Sequence, residues 1–106
     1  MRFPPLSRFR VADTSMQPAL QPGDSLLVVR GTPIRPGTIV VFADPQAVTE
    51  FRVKRVTDIA PDGTLFVRGD NPNVSRDSRH FGGVPASLVV GRVIYRYLPA
   101  SRRGPV

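Results

Sequence analysis

Two residues in this chain have types and settings that could carry chemistry together: Ser15, in the stretch "TSMQPALQPGD", and Lys54, in "EFRVKRVTDIA". A serine hydroxyl is a weak nucleophile near neutral pH and needs a base to take its proton. A lysine amine can be that base only when its pKa falls well below the free value of ~10.4. Burial among apolar neighbours disfavours the ammonium, and so does a nearby cation. Lys54 has Val53, Val56 and Phe51 about it and Arg55 beside it. It is also the single lysine among 15 basic residues, the rest being arginine. Arginine stays charged and cannot accept a proton. If position 54 needed only charge, arginine would be the expected choice in this chain.

Each residue also has a plainer reading. A lone serine among prolines and glycines caps a turn. A strand lysine lays its stem on the sheet with its head in water. A Ser-His-Asp arrangement would have to use His80, the only histidine, with Asp77. Those two stand three residues apart in a polar segment, no nucleophile-elbow glycines flank Ser15, and His80 reads better as a partly exposed loop residue. Taken singly, the plain readings prevail. Order and spacing along the chain are what argue for more.

The elements that must position these residues are short strands between proline and glycine turns. Strands are expected at Ser25 to Arg30, Thr38 to Ala43, Glu50 to Ala60, Thr64 to Gly69 and Leu88 to Tyr97, from their β-branched and apolar content. "PDG" closes a hairpin between the third and fourth, and Gly91 marks a bulge in the last. Twelve prolines and nine glycines leave no room for a long amphipathic helix. Brief helical turns are expected at "MQPAL" and "PASL". The expected fold is mainly β: one small domain over residues 1–106, an antiparallel sheet or partly closed barrel. Residues 1–8 and 100–106 read as mobile tails. Gly69 to Pro85 is a long polar loop for so small a domain, a common place for function.

Composition sets further bounds. With no cysteine and one histidine, thiolate and polyhistidine metal sites are excluded, and no cofactor is expected. No apolar run approaches the ~18 to 20 residues of a membrane span, and the N-terminus lacks a signal-peptide core. These features give the expectation of a cytoplasmic protein without a transmembrane anchor, peripheral membrane contact remaining open. The net charge of +7 invites a nucleic-acid partner. A basic β-module with bases stacked on Phe66, Phe81, Tyr95 and Tyr97 is the non-enzyme alternative. Strand packing explains those aromatics as well, and no nucleic-acid partner is expected.

"SMQPALQPGD", "VKRV" and "GDNPNVSRDSRHFG" together resemble, in order, the three boxes of the signal peptidase I family of Ser-Lys endopeptidases, over Ser15 to Gly82 or roughly two-thirds of the chain. The resemblance implies Ser15 as nucleophile, Lys54 as general base and Ser75 as the serine that orients the lysine. It implies the Ser15 backbone N–H as one oxyanion-hole donor and Met16 as a lining of the substrate cleft. Pro18, Arg55, Asp70, Asn71, Asp77 and Arg79 become supporting framework, with Asp77 and Arg79 paired. One departure stands out: many family members have a serine two residues before the nucleophile to complete the oxyanion hole. Here it is Asp13, whose carboxylate cannot donate. "VRGDNP", "SRDSRHFG", "VPASLVVGRV" and "YRYLP" further resemble the nickel-type superoxide dismutase maturation proteases. That likeness implies removal of an N-terminal propeptide from a nickel superoxide dismutase precursor as protein substrate. The alternative within the same resemblance is cleavage of secretory signal peptides.

Overall fold

A computed structural model of the chain describes residues 2–106, and Met1 lies outside the described residues. Seven strands form one antiparallel sheet: β1 (Leu6–Arg10), β2 (Ser25–Val29), β3 (Ile39–Asp44), β4 (Ala47–Ile59), β5 (Leu65–Arg68), β6 (Val89–Leu98) and β7 (Gly104–Pro105). Their order is β1-β2-β6-β3-β4-β5, with β7 paired to β6, so the sheet does not close. One short helix, α1 (Ser78–Phe81), lies in the long loop. Single 3-10 turns occur at Pro72–Val74, Ala86–Leu88 and Ala100–Arg102. The mainly β expectation holds, and the five strands read from the sequence lie within a few residues of β2 to β6.

Strand β3 shows why the sheet sits where it does. All six of its residues are buried, because both faces are covered. Ile39 and Val41 point into a cluster with Met16, Leu20, Leu26, Val28, Val53 and Val93. Val40 and Phe42, on the opposite face by the two-residue alternation of a strand, join Val56, Leu65, Val67, Phe81 and Val84. β4 carries this alternation onward. Val53 faces the first cluster, while Lys54 and Val56 face the second, with Val40 as the register partner of Lys54. The lysine thus arrives on a core face because the strand's period puts it there.

Two expectations about the chain ends are corrected. Residues 6–8 belong to β1, paired with β2 from Leu6↔Val29 to Arg10↔Ser25. Near the other end, β7 pairs with Tyr95 and Arg96, and Val106 packs against the first cluster. The C-terminal segment is further tied by Arg102, whose guanidinium donates to the buried Asp24 at 2.8 and 3.0 Å. Both segments read as tails because arginine, proline and glycine dilute their apolar pattern; long-range pairing and one buried carboxylate supply the anchoring instead. The irregularity expected at Gly91 is present. The β3–β6 register shifts beside it, and a Cβ there would meet Val29 O at 2.4 Å.

Candidate active site

Ser15 lies in the turn between β1 and β2, where the chain forms a single helical turn closed by Leu20 N–H donating to Met16 O at 3.0 Å. Across the sheet, Lys54 reaches it from β4: Nζ donates to Ser15 Oγ at 2.6 Å, joining residues 39 apart in sequence. Both are buried, Ser15 1% and Lys54 2% exposed. The plain reading of a strand lysine with its head in water is therefore excluded. Burial drives the Lys54 pKa below its usual value; the Asp13 and Asp77 charges oppose that shift and the Arg52 charge adds to it. A lysine so placed is ready to give up its proton, and once neutral it can accept the one on Ser15 Oγ.

The long loop holds the serine turn from the other side. Asn71 N–H donates to Ser15 O at 2.8 Å and Asn71 Nδ2 to Thr14 O at 3.2 Å. Asp70 fixes this stretch to β4 through a two-pronged ion pair, Arg55 Nε and Nη2 donating at 2.9 and 2.8 Å. Arg55 also donates to Gly37 O at 2.9 Å. Fork-to-carboxylate geometry of this kind fixes orientation as well as adding energy.

Asp77 is the hub of the loop. It is fully buried and accepts from Ser75 Oγ at 2.7 Å, Gly69 N–H at 3.0 Å and Arg79 Nε at 2.9 Å. Burial opposes its ionisation, but the Arg79 guanidinium, the Ser75 hydroxyl and the backbone donors outweigh it and hold the carboxyl well below the usual range. The expected Asp77–Arg79 pair is present. Asp77 also caps α1, while His80 Nδ1 accepts from Asp77 N–H at 3.2 Å and completes the cap. His80 is half-exposed and serves the loop, as the sequence suggested.

Two assignments differ from expectation. Ser75 Oγ is engaged by Asp77 and by Gly69 N–H at 3.1 Å, and it is not among the hydrogen-bond partners of Lys54. The buried Asp77 carboxylate is a stronger acceptor than an amine and accepts the hydroxyl's hydrogen bond. Met16 is fully buried in the first core cluster and does not line an open cleft; its apolar side chain packs inward with Leu20 and Leu26.

Three carboxylates have partners that only the structure shows: Asp13, which the sequence marked as a departure two residues before Ser15, and Asp44 and Asp24, which it did not single out. Asp13 Oδ1 accepts the Ser15 N–H at 3.0 Å. Asp44, fully buried, accepts from Arg52 Nε at 2.6 Å and Arg76 Nε at 3.0 Å, so it ties the β3–β4 hairpin to the long loop. Asp24 gathers Arg96 and Arg102. Only the partners, distant in sequence, distinguish these from ordinary turn aspartates. Six arginines (52, 55, 76, 79, 96 and 102) are thereby committed to ion pairs and have structural roles, while the net charge of +7 lies mainly on basic residues outside these pairs.

Comparison with known proteins agrees with this geometry. A model of the family described as signal peptidase, peptidase S26, matches residues 1–62 and 57–98. The chain is 33% identical, over 118 aligned positions, to the mitochondrial ATP-independent inner membrane protease subunit 1b of Arabidopsis thaliana, covering 87% of this chain and 70% of the relative. It is 33% identical to the mitochondrial inner membrane protease subunit 2 of Danio rerio, covering 88% of this chain and 64% of the relative. Against signal peptidase I of Bacillus caldolyticus the identity is 43%, over 53% of this chain and 32% of the relative. The chain belongs to the signal peptidase, peptidase S26, family. It is by that membership a serine endopeptidase acting on protein substrates, and the Ser15–Lys54 contact is consistent with the family's dyad.

The expectation of a cytoplasmic protein is corrected by the first two of these relatives, which by name are proteases of the mitochondrial inner membrane. Among the described residues no helix is long and apolar enough to cross a membrane. The absence of a span was the basis of that expectation, and it does not determine where surface contacts or partners hold a protein.

Proposed function

We propose that this protein is a signal peptidase I-type endopeptidase in which Ser15 is the nucleophile and Lys54 the general base, cutting an N-terminal extension from a protein precursor. The observation that carries the reading is the buried 2.6 Å contact between Lys54 Nζ and Ser15 Oγ. Neutral Lys54 takes the Ser15 proton as Oγ attacks the scissile carbonyl, and the resulting ammonium then protonates the departing amine. The acyl-enzyme is released by a water that Lys54 deprotonates in turn. The oxyanion is stabilised by the Ser15 N–H, a contribution of about 2.7 to 4 kcal/mol for a well-aimed donor. Arg55, Asp70 and Asn71 hold the serine turn, and Asp77, Ser75 and Arg79 hold the loop behind it. Cleavage of membrane-targeted presequences is supported by the relatives, whose names include signal peptidase I and inner membrane proteases.

The narrower reading, removal of the propeptide of a nickel superoxide dismutase precursor, is supported by the motif likeness in "VRGDNP", "SRDSRHFG" and "VPASLVVGRV". Intact-mass spectrometry of two precursors separates the readings: one carries a secretory signal peptide, the other is the nickel superoxide dismutase precursor. Each is incubated with wild type, Ser15→Ala and Lys54→Arg. A single cut in one precursor, absent with both variants, supports the dyad and selects the substrate. Cleavage that survives in Ser15→Ala refutes the mechanism.

A further inference from the structure

The turn that presents Ser15 also presents a carboxylate to the same backbone N–H that the reaction needs. Asp13 Oδ1 accepts from Ser15 N–H at 3.0 Å. Asp13 itself is exposed, while the serine and lysine beneath it are almost wholly buried. The charged groups that bear on Lys54 come from three elements: Asp13 from the β1–β2 turn, Arg52 from β4 and Asp77 from the long loop. Asp77 is already bound to Arg79 and Ser75, and Arg52 to Asp44. Among the described residues no arginine forms an ion pair with Asp13, Arg52 acting on it only as a more distant charge, and its carboxylate meets the nucleophile's own N–H. Burial disfavours its ionised form, but hydrogen bonds from Ser15 and the Lys54 and Arg52 charges keep it ionised.

We propose that Asp13 is a specificity-determining latch, its carboxylate occupying the Ser15 N–H that a scissile carbonyl must take and pairing electrostatically with the Lys54 ammonium. The proposal rests on the Ser15–Lys54 dyad. An ionised carboxylate can only accept hydrogen bonds, so it cannot help an oxyanion form and would repel one at that position. Substrate must displace it. Because Asp13 is exposed, rotation of its side chain toward water releases the N–H without disturbing the core. Displacement draws on binding energy from parts of the substrate remote from the cut, as in other sites where remote contacts drive assembly of the reacting groups. A full precursor supplies those contacts, whereas a short peptide spanning the cut lacks them. The latch thus discriminates by substrate length, at a single side chain.

The test compares wild type, Asp13→Ala and Asp13→Asn on a full precursor and on a short peptide containing the same cut. Lys54 is read independently: it is the only lysine, so labelling with 13Cε-lysine gives one side-chain resonance whose pH titration belongs to the dyad. Asp13→Ala is expected to raise kcat/KM for the short peptide on the order of tenfold to a hundredfold, the range of one charge-assisted hydrogen bond. The gain on the full precursor is smaller, so the ratio between the two substrates falls. The Lys54 titration moves to lower pH in both variants. Asp13→Asn retains an uncharged acceptor and gives a smaller gain. Short-peptide activity at or below wild type in Asp13→Ala, or an unmoved Lys54 titration, overturns the latch. Failure of the dyad itself looks different: Lys54 would titrate like free lysine in all three proteins, or Ser15→Ala would still cleave. Thermal unfolding of each variant shows that it is folded, and Asp13→Asn, nearly isosteric, stands in if Asp13→Ala is not.

Discussion

Gly69 is the tightest point of the candidate site, and Gly69→Ala is the sharpest test of how it is held. A Cβ built there would lie 2.3 Å from Ser75 Oγ, 2.5 Å from Ser75 Cβ and 2.6 Å from Ser15 O. Two of these neighbours are the hydroxyl that bonds Asp77 and the carbonyl that receives Asn71 N–H. Ordinary contact begins near 3.4 Å, so loop and serine turn must separate by about 1 Å. Neither neighbour is the free end of a long side chain, and the strain is shared by the backbone of both. A misplacement of about 1 Å at a reacting group can cost roughly a hundredfold in rate. Overpacking a tight interior typically costs about 1 to 3 kcal/mol. Gly69→Ala should therefore cut precursor more slowly by about two orders of magnitude while unfolding as a cooperative domain at a somewhat lower temperature. The assay is single-turnover cleavage followed by intact mass, paired with the Lys54 side-chain resonance, which should shift. A variant that is folded, shows an unshifted Lys54 resonance and cleaves at the wild-type rate would refute the claim that the Gly69 contact sets the dyad.

Lys54→Arg should lose activity at every pH, by roughly the 10²- to 10⁴-fold attributed to general-base catalysis or more, since guanidinium cannot accept the proton. Wild-type kcat/KM should rise with pH through a midpoint below the usual lysine value, as measured over a buffer series. Lys54→Met should be inactive yet more stable. The folded state lowers the lysine pKa, so the ammonium is penalised on folding; this penalty is fully present below the folded value and fades as pH rises from there towards 10.5, where the unfolded chain binds more protons than the folded one. The thermal advantage of Lys54→Met should shrink over that range, and an advantage that grows with pH would contradict it. Asp24→Asn leaves Arg96 and Arg102 without their charged partner at a carboxylate that is 1% exposed. A loss of about 3 kcal/mol is expected, from the cost of breaking a buried pair, and urea unfolding measures it.

Much of the fold could be read from the chain because its signals are local. β-branched runs at 25–29, 39–44 and 89–98 specify strands wherever they fall, and "PDG" specifies the turn that joins β4 to β5. β1 and β7 were not legible. "LSRFR" alternates serine and arginine with only two apolar residues, and "GP" has no side-chain pattern at all; both are strands because of what they pair with. The lone lysine was a signal within the sequence, since arginine would have served for charge. That it sits on a core face follows from the period of β4, counted from Val53 and Val56.

Sequence by itself determined the residue types: one serine in a stiffened turn, one amine able to lose its proton, and a polar loop between two strands. Tertiary structure decided what those residues do to one another. It brought Ser15 and Lys54 within 2.6 Å across 39 positions, turned the Ser75 hydroxyl to Asp77, sank Met16 into the core and set Asp13 on the Ser15 N–H. The physical reason is that a proton affinity or a hydrogen-bond partner is a property of surroundings. Burial and nearby charge change the cost of ionisation by several pKa units, and those surroundings are assembled by strands that are far apart along the chain.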